Sequence, residues 1–295
     1  MKHTLVIGST VVDVILNVPG IPRTKGDVNI SSCEYRIGGC AHNVFMTLRK
    51  LNSPALLCSP VGGGVYGRMI SDWFANEGLT PLVRLEQENG CCYCLVEKSG
   101  ERSFLSHHGA EYLFSRDWMK KIDFSLVSDV FICGIEIEEQ VGTEIVEFVF
   151  EHPELDVYFA PGPRIKKIPA KIMKRILSFR NNRGKGPFLH LNELEALRFS
   201  NKRSLEEAAR YISVLSGNSV VITLGERGCY FHFETGEPGF FSPGFSVRAI
   251  NTVGAGDAHC GAIIAGLKEG LSPEEACLRA NRIGAAAVAG ATSST

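Results

Sequence analysis

Short apolar runs, each bounded by Gly, Pro or Asn and separated by longer amphipathic stretches, recur along this 295-residue chain. Such a run cannot cover itself. It must pair with others in a sheet whose faces the amphipathic stretches then bury, which is the layout of an α/β fold with a mostly parallel sheet. The runs predict strands at Leu5–Ile7, Ala55–Cys58, Val130–Cys133, Val157–Phe159, Phe188–Leu191 and Val220–Thr223. Apolar positions three and four apart predict helices over Asn43–Leu51, Arg68–Glu77 and Val141–Glu151. Two capping boxes, Ser204-Leu205-Glu206-Glu207 and Ser272-Pro273-Glu274-Glu275, mark further helix starts. The basic stretch 166–183 carries Ile and Met at helical spacing, so its charges read as a solvated helix face. A hydrophobic content of 44% is enough to fill a large core.

Two regions interrupt the rhythm. Residues 15–36 are rich in Pro, Gly and polar side chains, and residues 89–106 alternate like a hairpin around Lys98-Ser99-Gly100-Glu101. Together they predict a small sheet inserted, in two pieces, into one domain spanning 1–295. A net charge of -1 and a pI near 6.7 leave no global basic field, so the expected partner is a small molecule and not a nucleic acid. No stretch approaches the roughly 20 apolar residues of a membrane span. The ten cysteines are scattered through apolar runs, and Cys91-Cys92-Tyr93-Cys94 lacks the paired spacing of zinc sites. They read as reduced thiols of a cytoplasmic protein, with no metal site.

Four motifs carry chemistry. Gly254-Ala255-Gly256-Asp257 precedes a segment dense in small apolar residues, which puts a Gly-rich turn at a helix N-terminus. Backbone N–H groups and the helix dipole there suit phosphate oxygens, and the Asp can take a proton from an attacking hydroxyl. A tight turn whose Asp only complements the dipole fits equally well. His190-Leu191-Asn192-Glu193-Leu194-Glu195 ends a strand and opens a helix, so Asn192 and Glu195 either serve a metal-linked water or cap the helix. Thr223, Gly225 and Gly228 lie in a turn between strands against which a nucleotide can rest. Gly38, Gly39 and Asn43, at another helix start, suit a polyhydroxyl ligand or a cap. A competing signal is Gly62-Gly63-Gly64-Val65-Tyr66-Gly67, which satisfies Gly-x-Gly-x-x-Gly with Glu86 downstream and would indicate a dinucleotide-binding oxidoreductase. The first strand's own turn, Gly8-Ser9-Thr10, lacks that fingerprint, and no Walker motif is present.

Taken in order from Asp13 to Asn281, these motifs resemble the ribokinase-like, or PfkB, family of carbohydrate and nucleoside kinases. The resemblance implies a ribokinase-like three-layer sandwich with a mostly parallel central sheet and a small β lid formed by 15–36 and 89–106. It implies that Asp257 is the catalytic base and that Gly254, Ala255 and Gly256 form the anion hole. Asp13, Gly38, Gly39 and Asn43 then meet sugar hydroxyls, with Glu136 a further substrate contact. Asn192 and Glu195 position Mg2+ and phosphate through water, Thr223, Gly225 and Gly228 form the nucleotide turn, and Asn281 flanks the purine. The implied reaction is transfer of the ATP γ-phosphoryl group to a hydroxyl, most simply a hydroxymethyl, of a sugar or nucleoside. In ribokinase the lid also pairs subunits, which implies a homodimer here.

The departures from the family pattern are as informative. Asn251 stands where the family usually has an Asp that helps build a monovalent-cation site, which argues against a potassium requirement. An Asn there also occurs in some pseudouridine kinases. Gly64 replaces the Asp of Val-Gly-x-Asp-x-x-Gly, and Ala160 precedes Pro161 where some members have Asp. A vitamin or hydroxymethylpyrimidine kinase of the same fold, and a non-catalytic sugar-binding protein, remain alternatives. His42, His107, His108 and His259 read as neutral core or lid histidines.

Overall fold

The computed structural model describes residues 1–250 and 252–290. Asn251, and with it the cation-site expectation, lies outside the described residues, as do 291–295. The chain divides into two compact units, one built from residues 1–7, 43–57 and those from 114 onward, the other from 8–42 and 58–113.

The first unit holds an eight-stranded sheet. In spatial order its strands are β14 (Phe240–Pro243), β13 (Gly228–His232), β12 (Val220–Thr223), β11 (Phe188–Asn192), β10 (Asp156–Ala160), β9 (Val127–Cys133), β1 (His3–Ile7) and β4 (Ala55–Cys58). The run from β1 through β9, β10 and β11 to β12 is parallel, and β13 and β14 turn back antiparallel at one edge. All six predicted strands are present. Leu5, Val6, Val130, Phe131, Phe159, Leu189, Val220 and Val221 are fully buried, as strands covered on both faces must be.

Ten helices complete the described chain: α1 (Cys40–Lys50), α2 (Gly64–Asn76), α3 (Arg116–Met119), α4 (Gly134–Glu138), α5 (Gly142–Glu151), α6 (Ala170–Leu177), α7 (Glu193–Ser200), α8 (Leu205–Ser216), α9 (Ala255–Glu269) and α10 (Pro273–Val288). Helices α1 and α2 begin three and four residues before the predicted starts. Their first turns are glycine-rich or small, so no apolar periodicity announces them. The Ser272–Glu275 box closes through both of its bonds, and Ser204 Oγ accepts from the Glu207 amide at 3.2 Å. On α6 the apolar residues Met173, Ile176 and Leu177 are buried and the lysines point outward, as the charge pattern predicted.

Helix α9 is fastened at its far end by a buried ion pair. Lys268 Nζ reaches Asp129 Oδ2 at 2.8 Å and Thr4 Oγ1 at 2.7 Å, joining it to β9 and β1. Ser128 Oγ donates to the same Asp129 oxygen at 2.6 Å. A buried pair completed by such hydrogen bonds fixes position more than it adds stability.

The second unit contains a four-stranded sheet in the order β3 (Ser32–Gly38), β2 (Val11–Val18), β7 (Cys91–Glu97), β8 (Arg102–His107). Strands β2 and β7 run parallel, while β3 and β8 flank them antiparallel. Strand β2 starts four residues before position 15, because Val11, Val12 and Val14 are buried and extend the pleat. The cysteine cluster forms part of β7, with Cys91 and Cys94 buried. A short parallel pair, β5 (Val61–Gly63) and β6 (Arg84–Glu88), is joined by α2.

Candidate active site

Helix α9 opens without a side-chain cap. Its N-cap is Gly254 at φ 77°, the left-handed region that glycine enters without strain. A Cβ at that position would also lie 2.9 Å from Asn43 Nδ2, so the amide of Asn43 packs directly over the glycine. Asp257 is the third helical residue, and its Oδ2 accepts a hydrogen bond from Asn43 Nδ2 at 2.9 Å. Two residues 214 apart in sequence, both expected to meet substrate, are thereby brought together. The helix start presents backbone N–H groups toward which no side-chain cap folds, beside an oriented carboxylate.

Asp13 sits centrally in the four-stranded sheet, paired across to Arg36 on β3 and Cys92 on β7. Burial raises its pKa to about 6, and the charge of Arg36 partly opposes the rise. Arg36 is itself engaged by Glu34 at 2.6 Å. Gly38 is required by this carboxylate, since a Cβ there would stand 2.2 Å from Asp13 Oδ2. Gly39 follows at φ 102°, against the Ser9 carbonyl.

The nucleotide-side expectations divide. Asn192 and Glu195 form a closed capping box: Asn192 Oδ1 accepts from the Glu195 amide at 2.8 Å, Glu195 Oε2 accepts from the Asn192 amide at 3.0 Å, and Asn192 Nδ2 donates to Glu195 Oε1 at 2.7 Å. Glu195 is buried, which raises its pKa, whereas Asn192 is exposed. Thr223 ends β12 and its hydroxyl donates to the Leu191 carbonyl at 3.4 Å. Gly225 at φ 63° faces open space, while Gly228 is closely approached by the Ser242 carbonyl of β14. Asn281 is 7% exposed, and its amide is used within the protein, donating to the Ser242 and Pro243 carbonyls at 3.1 and 3.0 Å. Its side chain is thus engaged with the end of β14. Glu136 is buried in α4.

The Gly62–Gly67 fingerprint serves internal packing. Added Cβ atoms at Gly62 and Gly67 would come within 2.0 Å of the Gln87 carbonyl and 2.2 Å of the Gly62 carbonyl. The glycines let α2 lie against β5 and β6, in a two-stranded pair separate from the large parallel sheet. Gly64, at φ 76°, has the Glu88 carboxyl group where a side chain would be: a Cβ would lie 2.8 Å from Glu88 Cδ and 3.0 Å from its Oε2. The Glu88 carboxyl group of β6 thus lies directly beside Gly64.

The family model for pfkB family carbohydrate kinases matches residues 1–295. The chain belongs to the PfkB family of carbohydrate kinases. An Escherichia coli K12 protein named uncharacterized sugar kinase YegV is 30% identical over 287 residues, which cover 96% of this chain and 87% of that one. The Arabidopsis thaliana ribokinase complexed with ribose and ATP superposes with a TM-score of 0.78 at 19% identity, covering 97% of this chain and 92% of the other. The nucleoside kinase of Burkholderia thailandensis in complex with inosine gives a TM-score of 0.75 at 19% identity, covering 97% and 91%. The fold is ribokinase-like, and the protein is a PfkB-type carbohydrate kinase. With the family settled, the dinucleotide reading falls.

Sequence reasoning missed one feature of this PfkB chain. His259, expected to be a neutral core or lid histidine, touches His190: His190 Nε2 and His259 Nδ1 are 2.9 Å apart. Each lies two residues from a motif residue, Asn192 and Asp257, but strand and helix periodicities do not show that the two faces meet.

Proposed function

We propose that this protein transfers the γ-phosphoryl group of ATP to a hydroxyl, most simply a hydroxymethyl, of a sugar or nucleoside. The observation that carries this reading is the Asn43–Asp257 hydrogen bond at the uncapped start of α9. Asn43 orients the Asp257 carboxylate, which receives the proton of the attacking hydroxyl. The amides of the first turn of α9 stabilise the negative charge of the transferring group. Gly254 keeps that turn clear of side chains, and positioning supplies most of the rate.

Magnesium, when bound, neutralises charge on the phosphate oxygens. Asn192 and Glu195 fit that ion only through water, because their side chains already close on each other. Gly225 and Thr223 edge the nucleotide, and Pro243, fixed by Asn281, borders the same turn. Asp13 and the Gly38–Gly39 backbone take hydroxyls of the acceptor, and Glu88 restores the carboxylate missing at Gly64. The segments 15–36 and 89–106 act as the lid that excludes water. Exposed Tyr35, Phe104 and Leu105 on that sheet support its pairing with a second copy.

The relatives crystallised with ribose and with inosine make pentoses and nucleosides, pseudouridine included, the first acceptors to try. A panel of pentoses, hexoses, their phosphates and nucleosides, followed by detection of phosphorylated product, tests the reading. One acceptor turned over with ATP establishes it. ATP binding with no product from any member of the panel supports a non-catalytic sugar-binding role.

A further inference from the structure

A chain of buried hydrogen bonds runs through the large-sheet unit from His190 to the end of β14. His190 Nε2 meets His259 Nδ1 at 2.9 Å, His259 Nε2 meets Asn281 Oδ1 at 3.1 Å, and Asn281 Nδ2 meets Ser242 O, Ser242 Oγ and Pro243 O at 3.1, 3.1 and 3.0 Å. His190, His259, Asn281 and Ser242 are exposed by 5, 4, 7 and 5%. The direction of the bonds around Asn281 follows from one end. Backbone carbonyls only accept, so the Asn281 NH2 must face Ser242 and Pro243, and its oxygen must face His259. His259 therefore carries its proton on Nε2 and donates to Asn281. Its Nδ1 meets Nε2 of His190, whose burial disfavours the charged form. The thiols of Cys229 and Cys277, both buried, lie beside the same side chains.

The two ends of this relay are functionally unequal. At one end it is anchored in β11 and α9, both tightly packed. At the other it grips the 242–243 segment, which lies against the turn expected to hold the nucleotide: Pro243 pairs with Gly228, the Gly244 amide donates to the Arg227 carbonyl at 3.2 Å, and a Cβ at Gly228 would strike the Ser242 carbonyl. Residues that merely stiffened α9 would not need a directed chain ending on two carbonyls of another strand.

We propose that the His190–His259–Asn281 relay is a positioning device for the nucleotide, holding the 242–243 segment against the Gly225–Gly228 turn. This rests on the reading of that turn as the ATP site. His259 acts through Asn281 and does not itself touch ATP.

The test is calorimetric binding of the magnesium complex of a non-hydrolysable ATP analogue to the full chain. His259→Phe keeps volume but removes the donor, and should weaken binding about tenfold, the effect of losing one buried hydrogen bond. His259→Gln, whose amide can again donate to Asn281 Oδ1, should restore affinity to within about twofold. Asn281→Asp, which sets a carboxylate against two carbonyls, should weaken binding at least as much and provides the reading if His259→Phe does not fold. With an acceptor in hand, the KM for ATP should rise in His259→Phe while kcat changes little. Unaltered affinity in both His259→Phe and Asn281→Asp, or a fall in kcat at constant KM for ATP, overturns the proposal. A wild-type chain that binds no ATP analogue overturns the ATP reading itself, and the role of the relay with it.

Discussion

Six helices among the described residues, α4, α5, α7, α8, α9 and α10, carry an acid as their third residue, and α7, α10 and α9 hold theirs in two contrasting ways. In α7 and α10 the N-cap is Asn192 or Ser272, whose side chain accepts from the acid's own amide while Glu195 or Glu275 folds back onto the cap amide. Both are closed boxes. In α9 the cap is Gly254, which has no side chain to receive or return a bond. The acid there is the shorter Asp257, and it turns across to Asn43 of α1. The difference is one of cap chemistry: Glu195 and Glu275 close on their own caps, whereas Asp257 is held by a residue of another helix. A cap with a side chain completes the helix start internally, whereas Gly254 offers no side chain to do so.

The sharpest way to break this comparison is Asp257→Asn. Turnover should fall by about two orders of magnitude or more, because the proton acceptor is lost. Affinity for an ATP analogue should be nearly unchanged, since Asn at 257 still completes the helix. A variant with near-normal turnover would reduce Asp257 to the structural class of Glu195 and Glu275.

Asp13 supplies the next contrast, an acid kept from its ordinary state by burial and not by a cap. Its folded-state pKa, raised to about 6 from 3.8, means that ionisation opposes folding. The cost is absent below the unfolded value, grows as pH rises from about 4 to 6, and is full above that. Asp13→Asn should therefore stabilise the chain at pH 8 by up to about 3 kcal/mol and change little near pH 4. Denaturant midpoints at the two pH values decide it. The same variant should lose affinity for the acceptor, a group retained at a cost in stability.

Gly254→Ala closes the open helix start by adding a side chain at φ 77° against Asn43. It should cost about 1–2 kcal/mol in thermal unfolding, with turnover reduced about tenfold as the Asn43–Asp257 pair is displaced. The smallest effect belongs to the closed box of α10. Ser272→Ala should cost about 1 kcal/mol of stability and leave kcat and both KM values unchanged. A kinetic effect from Ser272→Ala would erase the distinction between the two kinds of helix start.

Much of this was legible beforehand, for identifiable reasons. The six strand runs of the large sheet were visible because strands buried on both faces must be continuously apolar. The starts of α1 and α2 are not visible in the sequence, since Cys40 and Gly64 open turns with no apolar repeat. The Gly62–Gly67 fingerprint was ambiguous in the same way: a glycine needed for close packing and one needed for phosphate contact look alike in one dimension.

The sequence by itself determined the class of the protein. Motif order, cap chemistry and hydrophobic period are local properties, each contained within about ten residues. What only the tertiary structure decided is which polar groups are already satisfied. Asn192 and Glu195 close on each other, Asn281 turns inward to Ser242 and Pro243, and the Glu88 carboxyl group fills the place of a side chain at Gly64. Asn43 and Asp257 meet across 214 positions of chain, and His190 finds His259 across 69. Hydrogen-bond satisfaction depends on distances of about 3 Å between segments remote in sequence, and no local pattern encodes those distances.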